Sequence, residues 1–589
     1  MNESRENGTA LASTAPPLTA IAYFIVIFAL VSVSIFVQKS PTVDEPMHLF
    51  AGYSYLKYGD FRANSEHPPL AKMWAALPLL AFPIKDFRIY PQWERITETF
   101  VPTATVEAAH ETFFVDNEAE PLFFFAKLQM IAVAIILGIF VSLWAGKLFG
   151  REAAVAALAI FGLDPTILAH SSIIHTDVPF AACLFIGTYC YWRFLSETTL
   201  PRLILTALCF ALASITKYAG PAVFLIWLLL GAVWIFSNED AAARGRWKKT
   251  ASVATALAAA ALMAYVFIWA VYGFRYNAIP GAAHQFHFEW VTPAEGSLLR
   301  WPVLFVIRHR LFPEAWLYGQ IFVLSTLRRP AYLLGQISPD GFWSYFPVAF
   351  AVKTPLAALI LAAASLWTIA RGGIKRADAC FLILPAAVYF ALAVISRMNI
   401  GVRHILPIYP FLFVLIAGTA VRMWKSGELF QRIAVAVLAL WYVGASAWIY
   451  PDDLAYFNEA AGGPKNGYKI IVDSNLDWGQ DLKGLKLWME REGVDKIRFV
   501  HFGFDDPEYY GIDASYLPGT WVVFDPPATQ SPGPARYIAV SPSLLYSPFI
   551  VGRRPKVAFV EQFKGKEPIA RIGYSIFIFK AEQAESNAR

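Results

Sequence analysis

The segment PTVDEPMHLFAGYSYLKYGDFRANSEHPPL, residues 41–70, follows closely on the apolar run LTAIAYFIVIFALVSVSIFV, residues 18–37. That run is long enough to cross a bilayer. The segment after it opens with adjacent carboxylates, Asp44 and Glu45, and closes with Glu66, His67, Pro68 and Pro69. Ionisable side chains gathered where a chain leaves a membrane are costly unless they are paired or put to use.

Composition agrees with a chain that lives in lipid. Of 589 residues, 57% are apolar and only 16% charged. Soluble chains carry roughly a quarter charged residues. Tyr, Phe and 19 Trp abound, as they do at membrane interfaces. A soluble globular protein is excluded, and no nucleic-acid partner is expected. The four cysteines, Cys183, Cys190, Cys209 and Cys380, all fall inside apolar runs, which argues against a disulfide framework.

Eleven spans are predicted, at 18–37, 122–146, 152–169, 178–195, 203–216, 219–236, 250–272, 347–370, 378–396, 404–421 and 432–450. The first run is too long for a signal peptide, and QKSPTVDEP after it lacks a small-x-small cleavage site. Every second loop is basic: Lys147 and Arg151, then Arg193 and Arg202, and so on to Arg422 and Lys425. By the positive-inside rule these loops face the cytoplasm. Residues 1–17 are then a cytoplasmic tail, and the long loops 38–121 and 273–346 lie outside. The reading is of a multi-pass protein of the plasma (inner) membrane with its C-terminus outside.

Within the first outer loop, PPLAKMWAALPLLAFP is too short to span and reads as an interfacial helix. Leu49, Phe50, Tyr53 and Leu56 recur at helical spacing, so Met47–Tyr58 reads as a surface helix. After Tyr450 the composition turns polar, and residues 451–589 read as a small outer α/β domain. KIIVDS, KIRFVHFG, RYIAVS, KVAFVEQF and SIFIFK are its predicted strands. DLKGLKLWMEREGV is its predicted helix, closed near Gly493, and PPATQSPGP is a loop.

On this topology the ionisable residues of distant segments meet at the outer face. Asp44, Glu45, Glu66 and His67 come from the first loop. Asp177 opens the fourth span, and Lys217 sits in the turn SITKYAG. Lys353 lies in FAVKTP, and Arg403 and His404 in MNIGVRHILP. A carboxylate can take a proton from an acceptor hydroxyl, and cations can stabilise charge on a departing phosphate. The set therefore suits transfer of a group from a membrane-anchored phosphate donor. Asp44 and Glu45 are sequence neighbours, which on a helix point different ways, so different roles are expected of them.

The order of these motifs resembles the C-type glycosyltransferases, specifically the superfamily of protein O-mannosyltransferases and lipid A aminoarabinose transferases. It is carried by Asp44-Glu45 after the first span, HPPL at 67–70, Asp177, the Thr216-Lys217 pair and RHILPIYPFL from Arg403. The resemblance covers residues about 18 to 450. It implies a polyprenyl-phosphate sugar donor, inversion at the anomeric carbon, and a hydroxyl acceptor on protein or glycolipid. Asp44 matches the catalytic aspartate of the first loop and Asp177 the aspartate of the second. Lys217 and Arg403 occupy places suited to the donor phosphate. The C-terminal domain does not match the β-trefoil modules of eukaryotic mannosyltransferases.

Each residue also has a plainer reading. Asp44 could cap the helix that follows, with Pro46 in its first turn. Glu45 could be a solvated first-turn residue, and Glu66 a solvated carboxylate. His67 could simply be held by the Pro68-Pro69 turn, and Asp177 could cap the fourth span. Lys217 and Lys353 could snorkel to headgroups, whereas the planar fork of Arg403 suits a phosphate. His404 reads as structural. His284 and His287 could hold a divalent metal with Glu66 or Glu289, but an aromatic-rich loop is the commoner explanation, and no cofactor is required. Trp290, Trp301, Trp316 and Trp343 of the second outer loop are expected to line the site. DSNLDWGQDL has Trp478 and Gly484 where a calcium loop needs Gly and Glu. It reads as a strand-to-helix turn that could contact the acceptor. The rival class, a transporter or lipid-linked sugar flippase, would need its polar groups near the bilayer midplane.

Overall fold

The structure, a computed structural model, describes residues 14–97, 103–237, 243–281, 286–517, 535–546 and 560–581. Residues 1–13, His284, the PPATQSPGP loop and residues 556–559 of the predicted strand KVAFVEQF lie outside them.

The protein is a polytopic helical membrane protein with a small C-terminal sheet. Among the described residues, seven helices are long and apolar enough to cross a bilayer, and nine if each of two bent pairs is one span. They include α1 (Leu18–Phe36) and α4 (Ala119–Phe149); the shorter helices α2 (Glu45–Tyr58) and α3 (Leu70–Ala76) lie between these two in the chain. The predicted spans at 203–216 and 219–236 form the shorter apolar helices Leu200–Ser214 and Gly220–Phe236.

Two predicted spans are not straight. Arg151–Gly162 and Pro165–Ser171 meet at 64°. The Asp164 side chain accepts from the Ile167 N–H (3.0 Å) and caps a new helix, with Pro165 in its first turn. Tyr345–Lys353 and Leu356–Ala370 meet at 111°. Pro355 has no N–H and its ring crowds the preceding turn, so residues 347–370 are two helices at a corner and not one rod.

Packing between the helices is aromatic and close. Phe24 and Phe28 stack at 5.4 Å, and Phe28 meets Phe161 at 5.8 Å. Lipid tails are as apolar as these side chains, so fit and dispersion hold the bundle together. Helix α2 is not a surface helix. Eleven of its residues, from Glu45 to Tyr55, are buried. At Gly52 a β-carbon would run into the Lys72 carbonyl, so the glycine lets α2 lie directly on α3. Lys72, itself buried, donates to the carbonyls of Asn64 (2.6 Å) and His67 (2.7 Å) and fixes the turn before HPPL.

Past Tyr450 the chain forms a five-stranded sheet in the order β4-β3-β5-β7-β6. Its strands are β3 (Lys496–Val500), β4 (Asp513–Tyr516), β5 (Tyr537–Val540), β6 (Ala570–Ile572) and β7 (Ile576–Lys580). A separate hairpin pairs β1 (Ala331–Leu333) with β2 (Gln336–Ser338). Strands β3, β4 and β5 run parallel, and β7 is antiparallel to β5 and β6. The predicted helix is Leu482–Glu492, ended by left-handed Gly493. KIIVDS is not a strand; it turns into a short 3-10 helix at Asp473–Asn475. Side chains there bind the local backbone, Asp473 accepting from Ser474 N–H (2.6 Å) and Asn475 donating to the Val472 carbonyl (2.8 Å). Such bonds compete with a strand ladder. Of the described end of KVAFVEQF, Val560 and Glu561 are helical and Gln562 and Phe563 form a turn.

The sheet is not a free-standing appendage. Val540, Phe577 and Phe579 share one buried core with Phe28, Trp144 and Phe411 of the membrane helices. The Ser40 N–H donates to the Gln480 carbonyl and the Val43 N–H to that of Trp478, each at 2.9 Å. These contacts bring the turn 473–480 against the exit of α1.

Candidate active site

Asp44 stands at the start of α2 but makes no capping hydrogen bond. The neighbouring Glu45 points into the core. It accepts from the Thr42 N–H (2.7 Å), the Ile174 N–H (3.0 Å) and the Lys127 ammonium (2.9 Å), and it is fully buried. With the backbone pinned this way, the Asp44 carboxylate is left facing a cavity of about 300 Å³.

The cavity floor is polar. Asp44 Oδ2 lies 3.3 Å from Arg403 Nη1 and 3.5 Å from His175 Nε2. Arg403 Nη1 lies 2.6 Å from His175 Nε2. On its other side His175 Nδ1 is 2.7 Å from Asp177 Oδ2, in contact but off the hydrogen-bond direction. Lys217 donates to Asp177 Oδ1, and Arg403 Nη1 is 3.7 Å from Asp177 Oδ2. Carboxylates and cations thus alternate through a buried network. Trp478 closes it from below, its ring 4.1 Å from the Arg403 guanidinium carbon. Such stacking suits Arg and not Lys. Gly401, at φ 135°, sets Arg403 in place; a β-carbon there would collide with Ser474 Oγ.

The electrostatics follow from burial and partners. Burial pushes the Asp44 carboxyl up, but His175, Arg403 and His48 outweigh it and hold it well below the usual carboxylate range. His48 and His67 fall well below the ordinary histidine value, through burial first and then the charge of His175. Glu66 rises through burial, against the pull of Arg329. Asp473 rises to about 6 by burial, with Arg403 opposing. At neutral pH the floor therefore holds an ionised Asp44, with His48 and His67 uncharged.

The opposite wall is apolar. Val323, Leu324, Leu327, Leu392 and Ala393 line this part of the cavity. One space therefore joins a charged floor to a hydrocarbon wall.

No family model and no curated protein matches the chain. Among solved structures the chain is similar to ArnT from Cupriavidus metallidurans in the apo state, at 12% identity over 96% of this chain and 98% of that one, with a TM-score of 0.44. The same protein bound to undecaprenyl phosphate matches over the same shares with a TM-score of 0.43. Archaeal oligosaccharyltransferase AglB from Archaeoglobus fulgidus, in complex with an inhibitory peptide and a dolichol-phosphate, matches at 14% identity over 73% of this chain and 55% of that one, with a TM-score of 0.41. The S. cerevisiae protein O-mannosyltransferase Pmt1-Pmt2 complex bound to the sugar donor matches at 15% identity and a TM-score of 0.32. That match covers 43% of this chain and a third (33%) of the other.

Of the residues singled out in the sequence, Asp44, Glu66, His67, Asp177, Lys217 and Arg403 come together at this floor, and all but Asp177 line the cavity. His404, read as structural, also lines it. Two residues are elsewhere. Glu45 points into the core, because its carboxylate serves backbone N–H groups and Lys127. Lys353 is buried away from the cavity, where it donates to the carbonyls of Leu454 (2.8 Å) and Asn475 (2.6 Å) and faces the Phe457 ring. It ties the C-terminal segment to the membrane helices.

The expected tryptophans are not the lining either. Trp290, Trp301 and Trp343 are exposed, and Trp316 lines a neighbouring groove. Helix Glu314–Ser325 presents its aliphatic residues instead. His287 sits on an exposed stretch 2.9 Å from Glu289. Sequence reasoning passed over His48, His175 and Arg329, and met Trp478 only as the residue that breaks a calcium loop. The spacing of His175 two residues before Asp177 was a usable signal. Arg329 and Trp478 had none, since their segments reach the cavity only through tertiary packing.

Proposed function

We propose that this protein is an inverting glycosyltransferase that moves a sugar from a polyprenyl-phosphate donor to a hydroxyl of a protein or glycolipid outside the cytoplasm. The observation that carries the reading is the single cavity in which Asp44, Arg403 and Lys217 face an aliphatic wall. A lipid phosphate needs both surfaces at once: cations for its head and hydrocarbon for its tail.

In this reading Arg403 and Lys217 bind the donor phosphate, and His67 positions it. The acceptor oxygen forms a bond to the anomeric carbon as the bond from that carbon to the phosphate oxygen breaks. The hydroxyl proton passes to Asp44, and the phosphate leaves with the bonding electron pair, stabilised by the two cations. Arg403 ties the phosphate site to the base. Turning toward a phosphate, it would release Asp44 from the charge that suppresses its proton affinity, so the base gains strength as the donor arrives. Asp177 holds Lys217 and flanks His175. The donor tail lies along Val323, Leu324 and Leu327, which opens the site sideways toward the bilayer. Membrane orientation, with the site outside the cytoplasm and the N-terminus inside, belongs to the same proposal.

The test is incubation of the purified chain with a panel of radiolabelled polyprenyl-phosphate sugars and an extracytoplasmic extract, beside Asp44→Asn. Transfer by the native chain and at least about a hundredfold loss in the variant, with donor binding retained, are expected. Equal transfer by both would remove Asp44 as the base. Movement of labelled lipid across vesicles without any transfer would favour a flippase.

A further inference from the structure

We propose that His48, His67 and His175 form a binding site for one first-row transition-metal ion, Zn²⁺ foremost, in the cavity wall beside Asp44. The three come from separate elements: the first turn of α2, the HPPL turn, and the loop ahead of Asp177. One ring nitrogen from each can be chosen so that all three lie within 4.8 Å of one another. Their ring centroids are 4.7, 5.1 and 5.3 Å apart. Imidazole nitrogens about 2.0–2.1 Å from a tetrahedral ion stand roughly 3.4 Å from each other. Small side-chain rotations close that difference.

A stack of core histidines would satisfy its nitrogens with protein partners. These do not. His48 Nδ1 makes no hydrogen bond, although the residue is only 2% exposed. A buried polar nitrogen without a partner is unfavourable, and coordination is one way to satisfy it.

The surroundings fit a ligand set. A coordinating histidine usually has its second nitrogen directed at a carboxylate, and His175 Nδ1 is 2.7 Å from Asp177 Oδ2. That leaves His175 Nε2 for the ion. Asp44 Oδ2, 3.5 Å from Nε2, supplies an oxygen for a fourth position. A cation already occupies this place: Arg403 Nη1 is 2.6 Å from Nε2. The guanidinium stands where the ion would bind, so the two compete. Three imidazoles favour Zn²⁺ or its neighbours over Mg²⁺ or Ca²⁺, which take oxygen ligands.

This inference stands apart from glycosyl transfer, because metal content needs neither donor nor acceptor. The full chain in detergent would be stripped with chelator, equilibrated with Zn²⁺ or Co²⁺, and freed of loose ion. One ion per chain and the strong visible absorption of tetrahedral Co²⁺ are expected. His48→Ala, His67→Ala and His175→Ala should each weaken binding at least about tenfold. His287→Ala, which removes an exposed histidine, should bind as the native chain does. Arg403→Ala should bind more tightly, since a competing cation is gone. His67 is only partly buried, so His67→Gln provides a variant that keeps the fold. No bound ion in the native chain would overturn the proposal, as would loss of the ion in His287→Ala with retention in the three alanine variants.

Discussion

Lys127→Met isolates what Glu45 does. Lys127 and Glu45 are 6% and 0% exposed and lie 2.9 Å apart. Removing the ammonium leaves a buried carboxylate with only the Thr42 and Ile174 N–H groups to hold its charge. Breaking a buried pair by deleting one partner typically costs about 3–5 kcal/mol. That is a large share of the roughly 5–15 kcal/mol that holds a protein folded. Glu45→Gln removes the charge but keeps one carbonyl oxygen, which can still accept one of the two N–H bonds. The other is lost, and the Lys127 ammonium is left buried without its carboxylate, so this variant too should cost about 3–5 kcal/mol. In the double variant no charge remains buried, so its cost should fall short of the sum of the singles by about 2 kcal/mol or more. Urea unfolding in detergent micelles, read by tryptophan fluorescence and by pulse proteolysis, measures all three. Costs that add within about 0.5 kcal/mol would refute the pairing. A Glu45→Gln chain of native stability that nonetheless cannot transfer sugar would refute the positioning role and restore Glu45 to the chemistry.

Two further outcomes follow from buried groups away from the cavity. Lys353→Met should loosen the C-terminal segment, because the carbonyls of Leu454 and Asn475 lose their shared donor; faster limited proteolysis after Tyr450 than in the helix bundle checks this, and equal rates would count against it. Asp453 is 2% exposed with neither carboxylate oxygen hydrogen-bonded, and burial pushes it up to about 7. Its folded pKa lies above the unfolded value of about 3.9. The folded chain therefore binds the extra proton, and stability falls as pH rises from about 4 through 7. Asp453→Asn should relieve a penalty of up to roughly 4 kcal/mol above pH 7 and change little near pH 4. Equal melting temperatures for the two chains at pH 8 would contradict it.

Much of the site was legible before any coordinates. Asp44, Asp177, Lys217 and Arg403 each sit at the edge of an apolar run, where a charge needs a reason, and the alternation of basic loops put them at one end of the bundle. Local capping also read correctly at the Leu482–Glu492 helix, because Gly493 ends it through its own backbone freedom. Directions were not legible. Asp44 and Glu45 differ in surroundings because one backbone turn aims the first at the cavity and the second into the core. Lys353 has the chemistry of a phosphate ligand, yet its carbonyl partners lie about a hundred residues later in the chain.

Taken alone, the sequence determined where hydrocarbon surrounds the chain, since hydropathy is a sum over neighbouring residues and needs no partner. It determined which charged residues must be exceptions. Only the tertiary structure decided which exceptions meet. His175 becomes the centre of the network, and Trp478 the surface beneath Arg403, by contacts between segments far apart in the chain, 228 residues in the case of His175 and Arg403. Hydrogen bonds and ion pairs act over a few ångströms, and the distances that set them are created by packing.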